Sequence, residues 1–172
     1  MLRLLQLFMD ICLLRGKPQD LPSSKFLFGL TLGASLLASL PALTLNLGGP
    51  MPAIAAGIMD IFLTVVFLRG GLYILEKDAR FQQTATAIFG AGVILNVIAL
   101  PLEVTIASVA EGAALPPMAG LMYLGLVVWS LMILGHILRH ALDTRLGFGI
   151  GIAVLYYILI SLLLQQFLPP AS

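Results

Sequence analysis

The stretch PAIAAGIMDIFLTVVFLRGGLYIL, Pro52–Leu75, decides the fold class. It is apolar for long enough to cross a hydrocarbon core of about 30 Å, which takes roughly 20 residues of helix. Only Asp60 and Arg69 interrupt it with charge. Four more stretches read the same way: Phe26–Leu47, Thr84–Ala107, Met118–Leu138 and Leu146–Leu168. Polar or helix-breaking connectors separate them: Asn46–Pro50, Glu76–Arg80, Glu111-Gly112 with Pro116-Pro117, and His140–Arg145. In lipid, backbone N–H and C=O groups must pair within the segment, which leaves helices as the reading. A β-barrel would instead show shorter segments of alternating polarity.

Composition agrees. Of 172 residues, 60% are hydrophobic and 10% charged, and the mean hydropathy is +1.07. Globular chains run nearer 45–50% apolar and about 25% charged. A formal net charge of +1 leaves no basic stripe for nucleic acid. The single cysteine, Cys12, excludes an intrachain disulfide and a CxxC motif. The expectation is an all-α, polytopic membrane helix bundle: one integral membrane domain over 1–172 with five transmembrane helices.

Residues 1–14 are apolar but too short to span. Arg3, Gln6 and Asp10 recur at helical spacing along one side, which predicts an amphipathic helix on the membrane surface. Arg3 and the leucines after it imitate a signal peptide. The stretch lacks a small-residue cleavage site and runs into Arg15-Gly16-Lys17-Pro18, so it reads as retained.

The basic residues set an orientation. With the N-terminus in the cytoplasm, Arg3, Arg15, Lys17, Lys25, Lys77, Arg80, Arg139 and Arg145 all fall inside, and Arg69 can snorkel the same way. The opposite loops and the Pro-Pro-Ala-Ser tail carry no lysine or arginine, only Glu111 as a formal charge. The expected location is a bacterial inner membrane, with the C-terminus outside.

Charges inside a span cost about 2.5–3.5 kcal/mol on insertion scales, so they mark where chemistry could reside. Asp60 lies well inside the second span and Glu103 near the outer end of the third. With Asn96 they would make a proton or cation site if they share the bundle interior. The alternative is that Asp60 is neutral or bonded to a neighbouring helix while Glu103 reaches the interface. Arg69 is a poor partner for Asp60, because nine residues of helix separate them by about 13–14 Å.

His136, His140 and Asp143 fall at i, i+4 and i+7, on one helix face. Such a pair can chelate a metal given a third ligand. With Arg139 between the histidines and no HExxH motif, a basic, dipole-favoured helix end explains them more simply. No nucleophile triad, P-loop or dinucleotide fingerprint occurs, and no catalytic residue, resident metal or cofactor is expected. The connector Arg15–Ser24 carries two prolines around Asp20, and Ser23 or Ser24 can cap the first span. It reads either as a docking loop through Lys17 and Asp20 or as a well-made helix start. Gly29 and Gly33, Ala53 and Gly57, and Gly147, Gly149 and Gly151 are small residues that let helices approach closely.

The Pro-Gln-Asp-Leu-Pro-Ser lead-in (Pro18–Ser23), following a short N-terminal segment and followed by five closely spaced spans, resembles a bacterial member of the Yip (Ypt/Rab-interacting protein) superfamily. The resemblance implies a five-span, non-enzymatic protein acting through partners. The segment ahead of the first span is short beside that of the eukaryotic relatives, so no Rab-type partner and no binding residue carry over. The leading expectation is a membrane adaptor or accessory subunit, in contact with lipid and with a membrane protein partner or further copies of itself. The alternative is a small proton- or ion-coupled transporter or channel using Asp60 and Glu103.

The orientation is directly testable. Alkaline phosphatase fused at the C-terminus should be active and a fluorescent protein there dark, with the reverse for fusions after Lys77. The opposite pattern would invert the topology.

Overall fold

The computed structural model describes residues 2–109 and 116–167. Glu111, Gly112, Leu168 and the Pro-Pro-Ala-Ser tail lie outside the described residues. Six α-helices occur among them: α1 (Leu2–Cys12), α2 (Lys25–Leu47), α3 (Pro50–Ile74), α4 (Phe81–Ala107), α5 (Pro117–Leu142) and α6 (Leu146–Phe167). Five of them, α2 to α6, are long and apolar enough to cross a membrane, which makes the chain a multi-pass membrane protein. Two short 3-10 turns, Pro18–Asp20 and Asp78–Arg80, complete the described elements.

Helix ends follow local chemistry. The Ser24 hydroxyl accepts the Leu27 N–H at 3.4 Å at the start of α2, as its sequence position suggests. Gly48 ends α2 at φ 71°, a left-handed value that costs a residue without Cβ nothing. Pro50 begins α3 and Pro117 begins α5, where a missing N–H is harmless. α4 starts three residues before the expected Thr84, and α5 runs four past the expected Leu138. Both extensions are polar turns that the hydropathy limit excluded and that side-chain bonds stabilise (below).

The five long helices close a ring in the order α2–α4–α5–α6–α3, with α3 returning to α2. α2 and α4 run parallel: Phe28 meets Phe81 and Phe89, Ser35 lies against Gly92, and Asn46 reaches Glu103. α5 and α6 cross most closely, where Gly135 and Gly149 bring the backbones together. A Cβ on Gly149 would run into the Gly135 carbonyl oxygen. Gly57 similarly admits Leu36 between α3 and α2. Gly29 and Gly33, expected to be packing residues, face open space instead, because α2 turns that side away from the ring.

Packing is uneven along the ring. At the end carrying Lys17, Lys25, Lys77, Arg80 and Arg139, α4 is buried over much of 84–91 and α5 throughout 133–138. Toward the opposite end α5 is exposed on every side over 121–125. Both buried clusters are centred toward the basic end, with one of them reaching past the middle of α6 at Ile160. One joins Leu68, Ala85, Phe89, Leu134, Leu138, Ala153, Tyr156 and Ile160; the other joins α1 to Ala87, Ala91, Ile133 and Ile137.

α1 has three faces. Phe8, Ile11 and Cys12 are buried on α4 and α5, Leu5, Met9 and Leu13 point outward as exposed apolar groups, and Arg3 and Gln6 are exposed on a third side with half-buried Asp10. The polar stripe was visible in the sequence; the bundle-facing stripe was not distinguishable from a lipid-facing one. The Phe8 ring sits directly on Gly90, so a Cβ there would collide with it.

Burial pushes the Cys12 thiol from its ordinary 9.0 up to about 11, cutting thiolate at neutral pH roughly a hundredfold. Cys12 should therefore resist maleimide at pH 7.5, and Gly90→Val, which displaces Phe8 and loosens α1, should accelerate labelling at least tenfold. Equal labelling of the two proteins would mean that α1 is not seated as described.

Candidate functional site

Two polar regions stand out, one at the basic end and one inside the ring. At the basic end the segment from Leu13 to Ser24 is not a repeating helix, so its backbone groups need other partners. Side chains of α4 and α5 supply them. Trp129 Nε1 donates to the Cys12 carbonyl at 3.0 Å, and His136 Nε2 lies 2.7 Å from the Gly16 carbonyl. Since a carbonyl only accepts, Nε2 carries the proton. Gln83 donates to the Leu21 and Gln19 carbonyls at 2.8 and 3.2 Å, and Ser23 bonds Gln82 at 3.0 Å.

The exchange is reciprocal. The last carbonyls of α5 lack helical partners. Gln19 Nε2 donates to the His140 carbonyl at 2.7 Å, and Arg80 donates to those of His140 and Ala141 at 2.9 and 3.1 Å. Pro18 and Leu21 are buried within this junction. Lys17 and Asp20, the expected docking pair, remain exposed, with the Lys17 N–H bonded to Asp20 at 2.8 Å. Most of the connector is thus a structural joint of the bundle.

The structure brings His136 and His140 together, with ring centroids 4.8 Å apart, but turns Asp143 elsewhere. Asp143 ends α5 in the left-handed region at φ 54° and pairs with Lys77 at 2.9 Å and Arg80 at 2.8 Å. His136 is committed to Gly16, and His140 Nε2 accepts from Arg139 Nε at 3.2 Å. Among the described residues no group of three His, Cys, Asp or Glu side chains is placed to hold a metal ion. Arg69 lies over the Phe81 ring and 3.9 Å from Asp78, well away from Asp60 as its helical separation requires.

Inside the ring lies a cavity of about 480 Å³ whose wall includes all three expected polar residues, Asp60, Asn96 and Glu103. Every long helix contributes: Ser35 from α2, Asp60 and Thr64 from α3, Asn96 and Glu103 from α4, Ser130 from α5, and Tyr156 and Tyr157 from α6. Among the described residues, no Lys, Arg or His lines it. Around Asp60, the Thr64 hydroxyl donates to the Asp60 backbone carbonyl at 2.7 Å or shares its proton with the Tyr156 hydroxyl at 2.6 Å. Asn96 is turned back onto the Gly92 carbonyl at 2.9 Å. Glu103, at the end of the cavity far from the basic residues, accepts from Asn46 at 3.0 Å. The Asp60 carboxyl accepts no hydrogen bond from any described side chain or backbone group.

Sequence reasoning missed Thr64, Ser130, Tyr156 and Tyr157. Hydroxyl-bearing residues are common in membrane helices, and only their placement opposite Asp60 sets these apart. Trp129 and Gln83 carried no signal either, because the carbonyls they serve are defined only by the folded connector. No family model, curated protein or solved structure matches the chain. The class of protein is set by its architecture: a five-helix polytopic membrane bundle with an acidic internal cavity.

At Asp143 the hydrogen bonds and charges of Arg80 and Lys77 hold the carboxyl below the usual carboxylate range. A depressed folded-state value contributes stability above the unfolded value, about 4, and that contribution disappears as pH falls through the folded value. Asp143→Asn should therefore lower Tm slightly at pH 7, with the difference from the parent shrinking progressively below about pH 4. A difference that persists unchanged in strong acid would assign the effect to the helix cap instead of the ion pairs.

Proposed function

We propose that the protein is a small, non-enzymatic transporter or channel component that takes up a proton or small cation at Asp60. The observation that carries this reading is the convergence of Asp60, Asn96 and Glu103 on one cavity without a cationic side chain. An ionised carboxylate in an apolar surround is costly unless it is paired or protonated. A mobile positive species resolves that cost, and Glu103 at the outer end raises its local concentration. Packing around Leu134 and Leu138 toward the basic end, with Glu103 toward the other, supports access from the Glu103 side. In this reading the chain sits in a bacterial inner membrane with its basic end in the cytoplasm and the cavity facing outward.

A second reading, an accessory subunit or adaptor, has its own support. The stretch of α5 from Leu121 to Leu124 is exposed, and none of the described helices covers it. A membrane partner or a second copy would do so, and a Yip-like kinship belongs with this alternative.

Proteoliposome flux separates the two. Purified protein should give saturable, pH-dependent cation or proton uptake that Asp60→Asn reduces at least tenfold, while its elution profile and helical content stay unchanged. Absence of flux across a broad ion panel, together with a stoichiometric partner in native-membrane purification, would favour the accessory subunit.

A further inference from the structure

We propose that the preferred ligand of the cavity is a small organic ammonium ion, held by Asp60 in an aromatic corner formed by Tyr156 and Tyr157. This deepens the cation-site reading above and rests on it. Three features of the wall distinguish an organic cation from a bare proton or a metal ion.

The first is size. A proton needs one acid and no room, whereas about 480 Å³ lies within the range of small-molecule pockets. The second is the wall itself. Phe89, Tyr123, Tyr156 and Tyr157 all line it, and the Tyr156 and Tyr157 rings pack edge to face, with centroids 5.5 Å apart at 75°, as one aromatic corner of the wall. Aromatic faces attract an ammonium group through their quadrupole, most strongly where water is excluded. Both tyrosines line the same cavity as Asp60, so carboxylate and rings address the same volume.

The third is the donor set. Hard divalent ions take six to eight oxygen ligands, several of them carboxylates. Among the described residues, Asp60 and Glu103 are the acids lining the cavity, and Glu103 is held at its far end by Asn46. No described group of side chains gathers enough ligands for a metal ion. A single carboxylate without a hydrogen-bond partner, set among aromatic and aliphatic side chains, matches a ligand with one diffuse positive charge and an apolar body.

The test is equilibrium binding of radiolabelled benzyltrimethylammonium to the full chain in nanodiscs, competed by sodium chloride and by the uncharged carbon analogue neopentylbenzene. Binding should saturate near one per chain and resist both competitors at matched concentration. Asp60→Asn should weaken it at least tenfold and Tyr157→Leu at least threefold, while Tyr157→Phe retains it. Should Asp60→Asn fail to fold, the Tyr157 pair and the neutral competitor carry the test alone. No saturable binding up to millimolar ligand, equal competition by neopentylbenzene, or indifference to both Asp60→Asn and Tyr157→Leu overturns the proposal. Asp60-dependent sodium or proton flux without ammonium binding overturns only the ligand class. Absence of both flux and binding overturns the cation-site reading as well.

Discussion

The constraint on which the rest of this structure depends is that backbone polar groups must find partners where water is scarce. Five helices meet it internally. The segment from Leu13 to Ser24 cannot, and it is accommodated because Trp129, His136 and Gln83 donate to its carbonyls. The same segment repays the bundle through Gln19, which serves the end of α5. Each such bond has a modest net worth, but leaving either partner buried and unpaired would cost about 1–3 kcal/mol. The connector and the ends of α4 and α5 therefore stand or fall together. α1 is held over the seam between those two helices as a consequence.

That tight basic end and the open ring beyond it are two aspects of one packing arrangement. Small residues permit close crossings at Gly135 with Gly149 and at Gly57 with Leu36, and α5 is buried throughout 133–138. Between Leu121 and Leu124 α5 has no such neighbours. The cavity occupies the interior of the ring, where the five helices approach but do not interdigitate. Its floor shares Ala91, Ile133 and Ile137 with the cluster that seats α1, so the N-terminal helix backs the wall of the cavity from outside. Undocking of α1 would weaken that wall as well as expose Cys12.

Asp60 is the charged group on the cavity wall that no described side chain or backbone group satisfies. Thr64 and Tyr156 use their hydroxyls on each other and on the Asp60 backbone, leaving the carboxyl to the cavity. A residue that breaks a local rule inside an otherwise consistent fold is where function is most economically sought.

The sequence by itself determined the number and apolar extent of the long helices, because lipid as solvent imposes length and hydropathy on each helix separately. It also exposed Asp60, Asn96 and Glu103 as polar residues within spans, because each is conspicuous against its own neighbours. Which helices adjoin was decided only in three dimensions: every face of a spanning helix is apolar, so no hydrophobic stripe points to its partner. The roles of Gly90 under Phe8, Trp129 at Cys12 and the two tyrosines opposite Asp60 follow from that neighbour choice. Gly29 and Gly33 illustrate the same limit from the other side. Their spacing marks a surface suited to close approach, and the ring turned it outward, since the contacts at Gly57, Gly92 and Gly135 brought the helices together on other faces.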